Sequence, residues 1–205
     1  MGMLKVLLTG FEPFNNGQLN PSEQLVRKIK SDSVPGVHII TAVLPVVFGE
    51  AAKSLLALVD EHEPDVVICF GQAEGRTAIT PERFAVNLDD ASIADNKGNI
   101  RIDQPIQVSG PTAYETTLPV KEIVASLKAE GIPAALSLSA GTFVCNHIFY
   151  ELQYALKGKA VQSGFVHVPL MNEQQEFFPG LFTMDVETMA LAAKTMVALL
   201  VAKER

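Results

Sequence analysis

"AALSLSAGTFVCNHIFYELQYALKGKAVQSGFVHVP" (residues 134–169) holds a short apolar run, a longer helical pattern and a second apolar run. "AALSLS" (134–139) reads as a strand and "SGFVHVP" (163–169) as another. Between them, about 143–157 reads as a helix that opens after the small-residue turn "AGT". A strand, a helix and a second strand of this length form a crossover unit, which favours a parallel sheet covered by helices.

The same texture extends outward. "LKVLLTG" (4–10), "VHIITAVLP" (37–45) and "DVVICFG" (65–71) read as buried strands. "NPSEQLVRKIKS" (20–31) reads as a helix, with Pro21 in its first turn and Glu23 early. "FGEAAKSLLALVDEHEP" (48–64) is a second helix, and "LPVKEIVASLKAEG" (118–131) a third that ends at Gly131. In the last helix, about 184–203, Val186, Met189, Ala190, Ala193, Val197 and Leu200 follow helical spacing. Residues 77–107 break the pattern and read as a strand or hairpin excursion followed by a loop. The expected fold is a three-layer α/β/α sandwich with a mainly parallel twisted sheet, and residues 1–205 form a single domain.

Composition narrows the function classes. The chain has 205 residues, 48% hydrophobic, with a formal net charge of −7 and no Lys/Arg cluster, which argues against nucleic acid or an anionic membrane as partner. Its two cysteines make no disulfide framework, and together with the four scattered histidines they give no metal-ligand spacing. No apolar run reaches the roughly 20 residues of a membrane span. The expectation is a soluble cytoplasmic protein without a metal.

In open parallel sheets, sites lie at the carboxyl ends of strands. That rule selects the loops after Gly10, Gly71, Ser139 and Val168. "TGFEPFNNGQ" lacks the Gly-Lys-Ser/Thr of a phosphate loop, and "GQAEGR" lacks dinucleotide-fingerprint spacing. Cys145 follows a strand and a tight turn and lies in the first turn of a helix, where free N–H groups and the helix dipole favour a thiolate. Cys69, amid Val67, Ile68 and Phe70, reads as core. His147 is two residues from Cys145, about 200° around the helix, and so points away from the thiol. His167 lies at the end of the 163–169 strand, which is expected to neighbour the strand leading to Cys145. His38 and His62 read as surface residues. For a third group that orients the imidazole, Glu82 is one candidate among many acids, whereas Asp89, Asp90 and Asp95 read as a solvated loop.

Four motifs, "GFEPF" (10–14), "GQAEGRTAITPERFAVN" (71–87), "SLSAGTFVCNHIFY" (137–150) and "GFVHVPLMNEQ" (164–174), in this order and spacing, resemble the pyroglutamyl peptidase type I family, also called pyrrolidone-carboxylate peptidases. The resemblance spans nearly the whole chain. It implies a cofactor-independent cysteine exopeptidase that acts on peptides with an N-terminal pyroglutamyl residue, assembled as a homotetramer. The family's catalytic cysteine falls on Cys145, its histidine on His167 and its acid on Glu82. Its lactam pocket falls on Phe11, Phe14, Ile93, Phe143 and Val144, with Gln72 at a position that contacts the lactam. The chain departs from the family pattern at Glu74, Phe84, Ser92, Ala94 and Leu170–Met171. The alternatives are a nucleoside phosphorylase-like enzyme and a non-catalytic small-molecule-binding α/β module.

Overall fold

The computed structural model describes residues 3–29 and 34–203. The five-stranded main sheet has the order β2-β1-β3-β7-β4. Its strands are β1 (Leu4–Phe11), β2 (Val37–Leu44), β3 (Val66–Gln72), β4 (Thr80–Pro81) and β7 (Gln162–Val168). β1, β2, β3 and β7 run parallel, and only β4 is antiparallel to its neighbour β7. Short pairs flank the sheet: β5 (Phe84–Val86) with β6 (Ala113–Glu115), and β8 (Leu170–Met171) with β9 (Thr183–Met184).

Side-chain alternation divides the core into two layers, because successive strand residues face opposite ways. Val6, Leu8, Ile68, Phe70 and Val166 face one layer, covered by α1 (Pro21–Ile29), α3 (Val120–Ala129) and α5 (Val186–Lys203). Leu7, Val67, Cys69 and Phe165 face the other, covered by α2 (Glu50–His62) and α4 (Val144–Leu156). The expected three-layer α/β/α sandwich is therefore present, with three helices on one face and two on the other. The expected extension of α1 to residues 30 and 31 lies outside the described residues.

One expected strand differs. Residues 134–139 form no continuous strand; they make isolated bridges, Ala134 with Ile79 and Ser137 with Glu82. Ile79 N donates to Pro133 O, Ala135 N to Ile79 O, Ser137 N to Pro81 O and Arg83 N to Ser137 O. The ladder is interrupted where Pro81 supplies no N–H. This segment also does not neighbour the strand of His167, as expected from sequence: β4 lies between them.

Candidate active site

The carboxyl ends of β1, β3 and β7 converge on the start of α4. Gly141, with φ at 75°, turns the chain, and Phe143 in an extended conformation precedes the first helical residue, Val144. No side chain caps this terminus, so Cys145 sits beside helix-start N–H groups that have no partner within the helix. Its sulfur lies over Gly71: a Cβ at Gly71 would fall 2.9 Å from Cys145 Sγ. Gly71 is in register with His167 on β7. Glycine thus leaves the space that the thiol occupies at the edge where β3 meets β7.

His167 is almost fully buried, with its ring 4.8 Å from that of Phe165. Its Nδ1 lies 2.8 Å from Glu82 Oε1. Against an ionised carboxylate, Nδ1 carries the proton and Nε2 keeps a lone pair. Glu82 has no solvent exposure, and its backbone N donates to Phe165 O at 2.9 Å. Its Oε1 also meets Arg76 Nη2 at 3.0 Å. Burial lowers the His167 pKa; the hydrogen bond and charge of Glu82 oppose this, and Arg76 lowers it further. Burial, then the Glu82 charge, then Cys69, push the Cys145 thiol up to about 12. Burial and the Glu82 charge thus work against the thiolate that the helix start favours.

Cys145 and His167 line a cavity of about 170 Å³ whose surface is mainly apolar. Phe11, Phe14, Gln72, Phe143 and Val144 line it as well, with Asn20, Val46 and residues 140–142. Phe14 and Phe143 lie 6.2 Å apart between ring centroids, and Phe48 supports Phe143 edge-on at 5.4 Å. Glu12 ties two walls together: its Oε1 accepts from Val46 N and from Asn96 Nδ2, while its carbonyl accepts from Asn20 Nδ2. Gln174 Nε2 donates to Gln72 Oε1 at 3.0 Å, which leaves the Gln72 amide nitrogen as the donor end. Ile93 is not among the lining residues; it lies half-buried in the loop that precedes the turn at 95–99.

His147 does face away from the thiol. Its Nδ1 lies 2.9 Å from Asp89 Oδ2, its Nε2 accepts from Gly49 N at 3.3 Å, and Asp89 Oδ2 meets Arg101 Nη1 at 2.6 Å. Asp89 and Asp95 are buried, not solvated. Asp95 accepts from Phe48 N, Lys97 N and Asn99 N, and so organises its own loop. Sequence reasoning missed Arg76, Asn20, Val46 and the Asp89–Arg101 pair; no local pattern of residue types marks them. Among the described residues, no group of three or more His, Cys, Asp or Glu is placed to hold a metal, and no helix is long and apolar enough to cross a membrane.

A family profile described as "Pyroglutamyl peptidase" matches residues 4–204. A pyrrolidone-carboxylate peptidase of Vibrio vulnificus strain CMCP6 is 54% identical over 172 residues, covering 84% of this chain and 81% of the relative. One from Cupriavidus pinatubonensis is 45% identical over 205 residues, covering 98% and 95%. The crystal structure of pyroglutamyl peptidase I from Bacillus amyloliquefaciens superposes with a TM-score of 0.92 at 40% identity, covering 97% of this chain and 94% of that one. A mutant pyrrolidone carboxyl peptidase from the hyperthermophile Pyrococcus furiosus gives a TM-score of 0.93 at 39% identity, covering 98% and 100%.

Proposed function

The chain belongs to the pyroglutamyl peptidase family, a cysteine peptidase that removes N-terminal pyroglutamate, and from that premise we propose how its residues divide the work. Cys145 is the nucleophile, His167 the proton carrier and Glu82 the group that orients His167. The carrying observation is that Cys145 and His167 share one apolar cavity while the other imidazole nitrogen is held by a buried carboxylate. Cys145 Sγ attacks the carbonyl that joins pyroglutamate to the next residue, and its proton passes to His167 Nε2. N–H groups at the start of α4 receive the developing oxyanion. His167 then protonates the leaving amine as the C–N bond breaks. A water, deprotonated by the same nitrogen, splits the thioester and releases pyroglutamate.

A pyroglutamyl group is small, neutral and cyclic, so an apolar slot with a few polar contacts suits it. Phe11, Phe14, Phe143 and Val144 form the slot, and Gln72 donates to the lactam carbonyl. Proline lacks that carbonyl and would leave the donor unpaired, a loss worth a large discrimination factor. The rest of the proposal is one catalytic domain acting as a cytoplasmic homotetramer; two unpaired thiols support a reducing compartment, and exposed Phe177 and Val108 offer apolar contact surface. The relatives are peptidases, which favours neither the phosphorylase nor the binding-module alternative.

The test is hydrolysis of chromogenic pyroglutamyl and prolyl amides by wild type, Cys145→Ala, His167→Ala and Gln72→Met. The two catalytic variants should lose turnover, and Gln72→Met should narrow the preference for pyroglutamyl over prolyl. Undiminished turnover by Cys145→Ala overturns the assignment.

A further inference from the structure

Arg76 is absent from the cavity lining, yet its guanidinium is held at three points. Nη2 reaches Glu82 Oε1 at 3.0 Å and donates to Ser139 O at 3.1 Å, while Nη1 donates to Thr80 Oγ1 at 2.8 Å. Thr80 Oγ1 in turn lies 3.3 Å from His167 O. Glu82 Oε1 thus receives both the imidazole and the guanidinium, and Glu82 Oε2 is buried with no partner. A carboxylate without solvent exposure needs a compensating charge to stay ionised. Arg76 is the cation in contact with it, and a planar fork fixed at two further acceptors cannot easily turn away.

We propose that Arg76 is a positioning residue for hydrolysis: it holds Glu82 as a charged, correctly turned partner of His167 and fixes the net charge seen by the imidazole. This rests on the reading of Cys145, His167 and Glu82 given above and extends it by one member. The charged or titratable groups facing the imidazole are Glu82 from the β4–β5 connection, Arg76 from the β3–β4 loop and Cys145 from α4. Arg76 opposes protonation of His167, so without it the Glu82–His167 pair takes up its proton at higher pH. Arg76 also favours thiol ionisation, so its loss makes Cys145 harder to ionise.

The experiment compares wild type, Arg76→Met, Arg76→Gln, Arg76→Lys and Glu82→Gln by the pH profile of kcat/KM on a pyroglutamyl amide. Unfolding curves are recorded alongside. Arg76→Met and Arg76→Gln should both move the acid limb up by about one pH unit and lower kcat by roughly 10–100-fold, with KM nearly unchanged. Arg76→Lys should keep the wild-type limb, because it keeps the charge. Arg76→Gln keeps a donor for Ser139 O, so it carries the test if Arg76→Met fails to fold. An acid limb that does not move in the neutral variants overturns the inference, even if their stability falls. If Glu82→Gln keeps full activity, the parent reading has failed; if Glu82→Gln collapses while the neutral Arg76 variants keep the wild-type profile, only this inference has failed.

Discussion

Replacing Gly71 with alanine tests the placement of the proposed nucleophile, Cys145, directly. Gly71 is not among the positive-φ glycines, so alanine meets no backbone penalty there and acts through its methyl alone. That methyl would lie 2.7 Å from Phe165 Cζ and 2.9 Å from Cys145 Sγ. Ordinary carbon contacts sit at about 3.5–4.0 Å, so both neighbours have to retreat, each by roughly 0.6–1 Å. Phe165 is fully buried among the rings of Phe11, Phe149 and His167, so its retreat strains the core and disturbs His167 while the thiol shifts with the first turn of α4. Misplacing a reacting atom by that much costs about 100-fold in rate, while overpacking costs about 1–3 kcal/mol of stability. The assay is kcat/KM on a pyroglutamyl amide together with urea unfolding. Gly75→Ala is the control: nothing lies within 4 Å of the place its methyl would occupy, but φ is +78°, so it should lose about 1 kcal/mol and little rate. Turnover by Gly71→Ala within about threefold of wild type would refute the placement of Sγ over β3.

Two further outcomes follow from buried titratable groups. His147→Ala removes a partner from fully buried Asp89 and should lower stability by about 2–3 kcal/mol while folded molecules keep near-normal kcat; a large rate loss at unchanged stability would move His147 into the chemistry. Burial pushes the Cys69 thiol up to about 12, whereas an unfolded thiol ionises near 9, so its contribution to stability is complete below pH 9 and is lost as pH rises towards 12. Cys69→Ala should therefore lose stability less steeply over that window, by about 1.4 kcal/mol per pH unit, and parallel urea profiles would contradict it.

The strands and helices are legible in the sequence because apolar positions recur with periods that match buried strands and amphipathic helices. β1 and β3 show this: Val6, Leu8, Ile68 and Phe70 load one face while Leu7, Val67 and Cys69 load the other. The 134–139 segment reads as a continuous strand in isolation, because the interruption comes from Pro81, more than 50 residues away. Helix geometry is enough to set His147 aside; the expected adjacency of the His167 strand and the segment leading to Cys145 does not hold, since β4 intervenes. Asp89 reads as solvated because its partners, Arg101 and His147, lie 12 and 58 residues further on. The upward push on the Cys145 pKa escapes the sequence for a similar reason: the helix start is visible there, whereas burial and the charge of Glu82 depend on the packed structure.

The order β2-β1-β3-β7-β4 also bears on when a newly made chain becomes a peptidase. β7 is synthesised after the other main-sheet strands but sits between two of them, and it carries His167. Cys145 is therefore joined to the chain 22 residues before His167, and β3 and β4 have no common neighbour until β7 arrives. The proposed nucleophile and base meet only when β7 enters the sheet, so a chain that stops between Cys145 and β7 carries a thiol without its partner, and hydrolytic competence is a late event in synthesis.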